Sequence, residues 1–120
     1  HACNAFRVPL YIPLVFPGDG STGVSRRIGT LVFQGSYDKL SPPIEDLTDQ
    51  AGKTVVAVPL GPPPSRLPSP LATPPGVQGA PYGAITIPTL SPLTTYHVQI
   101  IVEGPCIGSP ISDSFTTGPS

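Results

Sequence analysis

The stretch Phe6-Arg-Val-Pro-Leu-Tyr-Ile-Pro-Leu-Val-Phe16 decides how this chain is read. Phe6, Val8, Leu10, Ile12, Leu14 and Phe16 take every even position without a break. A β-strand sends alternate side chains to opposite faces, so all of them share one face. Arg7, Pro9, Tyr11 and Pro13 fall on the other. Proline donates no ladder hydrogen bond, so Pro9 and Pro13 confine the strand to a sheet edge or to partial pairing. Burying this apolar row is worth on the order of 10 kcal/mol, at roughly 1.5–3 kcal/mol per side chain. That is comparable with the whole stability of a small domain. The strand therefore either completes the chain's own core or is donated to a neighbour's.

The rest of the sequence sets the context for that choice. At 120 residues the chain is long enough for one domain with a real core. Nineteen prolines and thirteen glycines leave little room for helix, and no window shows sustained helical periodicity. The expected fold is all-β. Charged residues make up only 11% and the formal net charge is −1, which removes the electrostatic basis for nucleic-acid binding. Arg26 and Arg27 form the one basic pair, read as an exposed strand start. No apolar run approaches membrane-spanning length, so no membrane insertion is expected. Sparse surface charge suits a module fixed in an assembly better than one diffusing freely.

Along the chain, residues 17–24 read as a turn-rich connection and residues 27–35 as a strand. Residues 37–50 are polar, with Ile44 and Leu47 marking a short strand or a single helical turn. Residues 54–60 form the next strand. Residues 61–82 hold eight prolines and read as a polyproline-II-like excursion rather than a ladder partner. Its Ser65, Ser69 and Thr73 are candidate O-glycosylation sites, and attached glycans are a candidate partner. Strands resume at 83–88, 96–102 and 111–117. Strands separated by turn signals with no helices between them imply a sandwich. The division expected is an N-terminal apolar strand over 1–16 and a sandwich domain over 17–120.

The cysteines, Cys3 and Cys106, lie near the two ends and fit one disulfide formed in an oxidising compartment. Their spacing is no metal signature.

At Leu90-x-Pro92-x-Thr94-x-Tyr96 the sequence resembles the fibronectin type III and bacterial Ig-like families. In those, a tyrosine before the penultimate strand bonds back to the backbone and fixes a corner between the sheets. Pro17-x-x-Gly20-x-x-x-Val24 is similar to their entry into the second strand. Leu47-Thr-Asp-x-x-Gly52-Lys-x-Val55 is similar to their mid-domain hairpin, and Ser114-Phe-Thr-Thr117 to their closing strand. The resemblance implies an Ig-like β-sandwich of about seven strands with a long Pro-rich loop. It also implies an extracellular surface context and no reaction. In that topology the first strand starts at the pole carrying the loop with Cys106, so a Cys3–Cys106 bond is sensible. Cys3 of a neighbour's donated strand would occupy the same place, which leaves the bond intra- or intermolecular.

Catalysis lacks parts. A nucleophile needs a neighbouring base, and the only histidines are His1 and His97. Glu45, Asp46 and Asp49 read as a solvated turn rather than a calcium site. An N-terminal histidine can chelate copper, with His97 as the second ligand. In the fibronectin-like order, however, the two lie roughly 20 Å apart along the strands, and His97 reads as an outward side chain. The expected protein is thus non-enzymatic and needs no cofactor. It is a surface subunit that self-associates head to tail by donating Phe6, Val8, Leu10, Ile12, Leu14 and Phe16 to the next copy. The alternatives are a monomeric spacer or adhesion module and a secreted copper protein using His1.

Overall fold

The computed structural model describes residues 11–101 and 112–120. Side-chain alternation across the strand, with period two, shapes most of the strands. β3 (Thr30–Gln34), β6 (Tyr82–Thr86), β7 (Thr95–Ile100) and β8 (Ser112–Thr117) each send every second side chain inward. The full order is β1 (Leu14–Phe16), β2 (Ser21–Val24), β3, β4 (Ile44–Thr48), β5 (Thr54–Pro59), β6, β7 and β8. That makes eight strands among the described residues, not about seven, in two sheets and with no helix. The smaller sheet has the order β1-β3-β6, and the larger one β2-β8-β7-β4-β5. Leu14, Leu31, Phe33 and Ile85 from the first meet Leu47, Tyr96, Val98 and Phe115 from the second in one core.

The additional strand corrects the reading of residues 17–24 as a mere connection. After Phe16 the chain leaves the smaller sheet, and β2 runs parallel to β8 in the larger one. Gly20, at φ 82°, supplies a left-handed turn that other residues adopt at a cost, and its N–H donates to the Ser114 carbonyl at 2.7 Å. Pro17–Val24 therefore feeds an edge of the larger sheet, and the strand beginning after it, β3, spans a shorter segment than 27–35.

Residues 44–48 settle as a strand rather than a helical turn, pairing with β5 on one side and β7 on the other. Glu45 and Asp46 accordingly do not belong to a turn. Glu45 points inward beside Leu47, and Asp46 lies on the opposite face. Only Asp49 occupies the turn, where its carboxylate accepts the Ala51 and Lys53 amides at 2.9 and 3.0 Å.

The Pro-rich segment is anchored rather than free. Gly61 exchanges two backbone bonds with Ala84, of 2.9 and 3.0 Å, so the excursion starts as a brief partner of β6. It then reaches the opposite edge of the smaller sheet, where the Ala72 amide donates to the Val15 carbonyl at 2.9 Å. It returns to the end of β3, where the Gln34 side-chain amide donates to Ala80 at 3.1 Å and the Gly35 amide to Pro81 at 3.0 Å. Val15 and Val32 alternate away from the core cluster, yet both are fully buried, and Val77 of the excursion is buried too. The segment is an outer layer over the smaller sheet.

Candidate functional site

β1 meets the larger sheet at one pole, and the chemistry of the described residues concentrates there. Ile12 and Leu14, 6% and 1% exposed, lie in the chain's own core. Leu14 pairs with Phe33 and Phe16 with Val32, with a register shift between them. β1 is an edge strand of its sheet, so its outward amides need partners from elsewhere. The Leu14 amide finds one across the sandwich, donating to Oδ2 of Asp113 on β8 at 3.0 Å. Gly35 is required beside it: a Cβ there would fall 2.8 Å from the Tyr11 carbonyl oxygen and 2.9 Å from Ile12 Cγ1.

Two carboxyl groups face this inter-sheet space. Asp113 shares its side of β8 with Phe115 and Thr117, and Glu45 shares its side of β4 with Leu47. Glu45 is 1% exposed and its Oε2 has no hydrogen-bond partner among the described residues. Burial, reinforced by the charge of Asp113, pushes the Glu45 carboxyl up to about 8, so it is largely protonated at neutral pH. Asp113 is also raised, by burial first; the Leu14 amide opposes that shift and the charge of Asp19 adds to it. Asp19 is itself fixed by the Ser114 amide, which donates to its Oδ1 at 2.8 Å. Neither buried carboxyl is hydrogen-bonded to a Ser, Thr or His side chain among the described residues.

A second constellation closes the opposite end. The Tyr96 hydroxyl accepts the Ser91 amide at 2.8 Å, and the ring stacks on Phe115 with centroids 5.7 Å apart. Thr117 accepts the Thr94 amide at 2.9 Å and donates to the Ser91 carbonyl at 2.7 Å, tying the corner to β8. Leu90 is buried, Pro92 is exposed, and Thr94 caps its own turn by donating to Pro92 at 2.8 Å. Leu93 takes φ 51°, a left-handed conformation unusual for a branched side chain.

The other sequence candidates are scattered. Ser65, Ser69 and Thr73 are exposed on the Pro-rich layer, and His97 is exposed on the outer face of β7. His1, Cys3, Phe6, Val8, Leu10 and Cys106 lie outside the described residues, so the proposed disulfide and copper pair do too. Among the described residues no three His, Cys, Asp or Glu side chains group as a metal site. An open groove of about 530 Å³ lies where Val58 and Pro59 face Ile85 and Thr86, rimmed by Pro62 and Pro64.

The pole with Glu45 and Asp113 is what reading the sequence missed. Its one signal was parity: each carboxyl shares a strand face with core residues, Glu45 with Leu47 and Asp113 with Phe115.

No protein-family model matches the chain, and no curated protein or solved structure does either. No helix among the described residues is long and apolar enough to cross a membrane.

Proposed function

We propose that this chain is a non-enzymatic structural module of an extracellular surface protein, built as an Ig-like sandwich that completes its own core. The observation that carries this reading is the seat of β1. Ile12 and Leu14 fill the core of the chain they belong to, and Leu14 is bonded to Asp113 of the same chain. Such a module acts as a spacer or as a scaffold for an adhesive surface. The exposed Ser65, Ser69 and Thr73, each close to prolines, suit O-linked glycans that face solvent. The bond from Ser91 to Tyr96 supports the Ig-like assignment, because it closes the same short span that the family's corner closes.

Head-to-tail self-association is the second reading, and a different observation favours it. β1 holds β3 over only three residues, with a register shift within them, so the first strand is the most weakly paired element of its sheet. In the sequence, Phe6, Val8 and Leu10 continue the same period-two apolar pattern toward the N-terminus.

Analytical ultracentrifugation and an unreduced gel of secreted full-length protein separate the two readings. A single compact monomer with Cys3 joined to Cys106 of the same chain is expected. Heat-resistant ladders linked through those cysteines overturn the self-contained module in favour of strand donation.

A further inference from the structure

We propose that Glu45 and Asp113 form a proton-operated latch on β1, whose opening hands the β1 slot to the same strand of a second copy. The inference rests on the strand-donating form of the structural reading and adds its control.

The geometry names the moving part. β4 and β8 are each paired on both sides, so neither leaves its sheet without breaking two ladders. β1 is an edge strand of three residues, held by β3 on one side. Away from β3, bonds from the described residues also reach it, among them the Leu14 amide to Asp113 and the Ala72 amide to the Val15 carbonyl. The Asp113 bond thus joins the two sheets through one carboxylate. Directly after β1, the turn through Gly18 and Gly20 offers a hinge before the chain enters the other sheet.

The chemistry names the trigger. Glu45 Oε2 is buried without a donor among the described residues, so a charge there would be neither solvated nor paired by them. It would also face the carboxylate of Asp113, itself near that of Asp19. No cation among the described residues offsets them. β3 and β1 carry no titratable side chain, and on β5 the residue opposite Glu45 is Val58. On β7, His97 is exposed on the other face and the Tyr96 hydroxyl is engaged by Ser91. Asp46 lies on the opposite face of β4, and in the β3–β4 connection Asp38 and Lys39 are exposed, while Tyr37 packs against the core. Losing the Glu45 proton therefore favours a conformation in which water reaches the pole, and β1, the edge strand that Asp113 holds across the sandwich, is the element the proposal assigns to move. The vacated slot is shaped for Leu14 and Ile12, and a second copy carries both at identical spacing.

The test is hydrogen exchange at the Leu14 amide of the full chain at about pH 5 and about pH 9, corrected for intrinsic rates. Oligomeric state is measured alongside by ultracentrifugation. Protection at Leu14 is expected to fall at least about tenfold at the higher pH, with dimers or longer chains appearing, and E45Q is expected to remove both effects. Unchanged wild-type protection overturns the latch, as does an identical pH response in E45Q. If E45Q does not fold, the wild-type comparison alone decides. Opening of Leu14 in a chain that stays monomeric overturns the exchange with a second copy. Oligomers that form equally at both pH values leave strand donation standing and overturn its control by Glu45.

Discussion

Leu14 and Asp113 lie 99 positions apart in the chain, yet the amide of one donates to the carboxylate of the other at 3.0 Å. An edge strand leaves a row of backbone groups unpaired. Here a side chain from the facing sheet takes the place of the missing neighbour strand. The same residue shapes the electrostatics of the pole, because its charge is part of what keeps Glu45 protonated.

Asp113→Ala leaves the Leu14 amide buried without an acceptor. The expected loss of stability is about 1–3 kcal/mol in denaturant unfolding at neutral pH. Asp113→Asn keeps an acceptor oxygen, so it is expected to cost less and to lower the Glu45 carboxyl toward its ordinary value.

The two buried carboxyls fix the sign of the pH dependence. Both are raised in the folded state, so the unfolded chain gives up its protons first as pH rises. Their contribution is fully present below the ordinary carboxylate range. It declines from about pH 4.5 until Glu45 titrates near 8. Thermal melts of the wild type are expected to drop steadily across that window, by an amount on the order of several kcal/mol. Glu45→Gln is expected to flatten most of the slope.

Much of the architecture was legible in the sequence because period-two alternation is a local signal. Tyr96, Val98 and Ile100 declared one face of β7, and Ile85 in β6 with Ile87 just beyond its end did the same for the smaller sheet. The failures share a cause. At Ile44-Glu-Asp-Leu47 the two apolar residues stand three apart, which suggests a helical turn. The inward position between them is taken by Glu45, a residue rarely buried unpaired. Ser21–Val24 carries almost no apolar content, and its strand exists through backbone pairing with β8. Nor does a run of prolines announce that Val77 will be buried, since that depends on where Val15 and Val32 place an apolar surface.

The close approach of Gly35 to Tyr11 and Ile12 gives a steric test of the β1 seat. Gly35→Ala would drive its new methyl to 2.8 Å from the Tyr11 carbonyl oxygen, with backbone rather than a flexible tip in the way. A destabilisation of about 1–3 kcal/mol is expected. Hydrogen exchange should show faster opening around Leu14 than around Val98.

The corner should be worth less per bond but act on the opposite end. Tyr96→Phe removes only the hydroxyl that accepts the Ser91 amide, at an expected cost of about 1 kcal/mol. Thr117→Val removes bonds to both Thr94 and Ser91 from a residue 1% exposed, and about 1–3 kcal/mol is expected. Calorimetry of the two variants and their combination would show non-additivity, because both mutations loosen the same turn.

The proline layer makes the molecule lopsided. One flank is sheathed by a segment rich in proline, which has no amide to lend, over a valine surface already dry. Among the described residues the other flank presents His97 and Gln99 to water. When copies crowd side by side, the sheathed flank gives a neighbour no row of strand groups to copy. Lateral growth into stacked sheets is therefore blocked on that side, and whatever meets this protein broadside reads the polar flank instead.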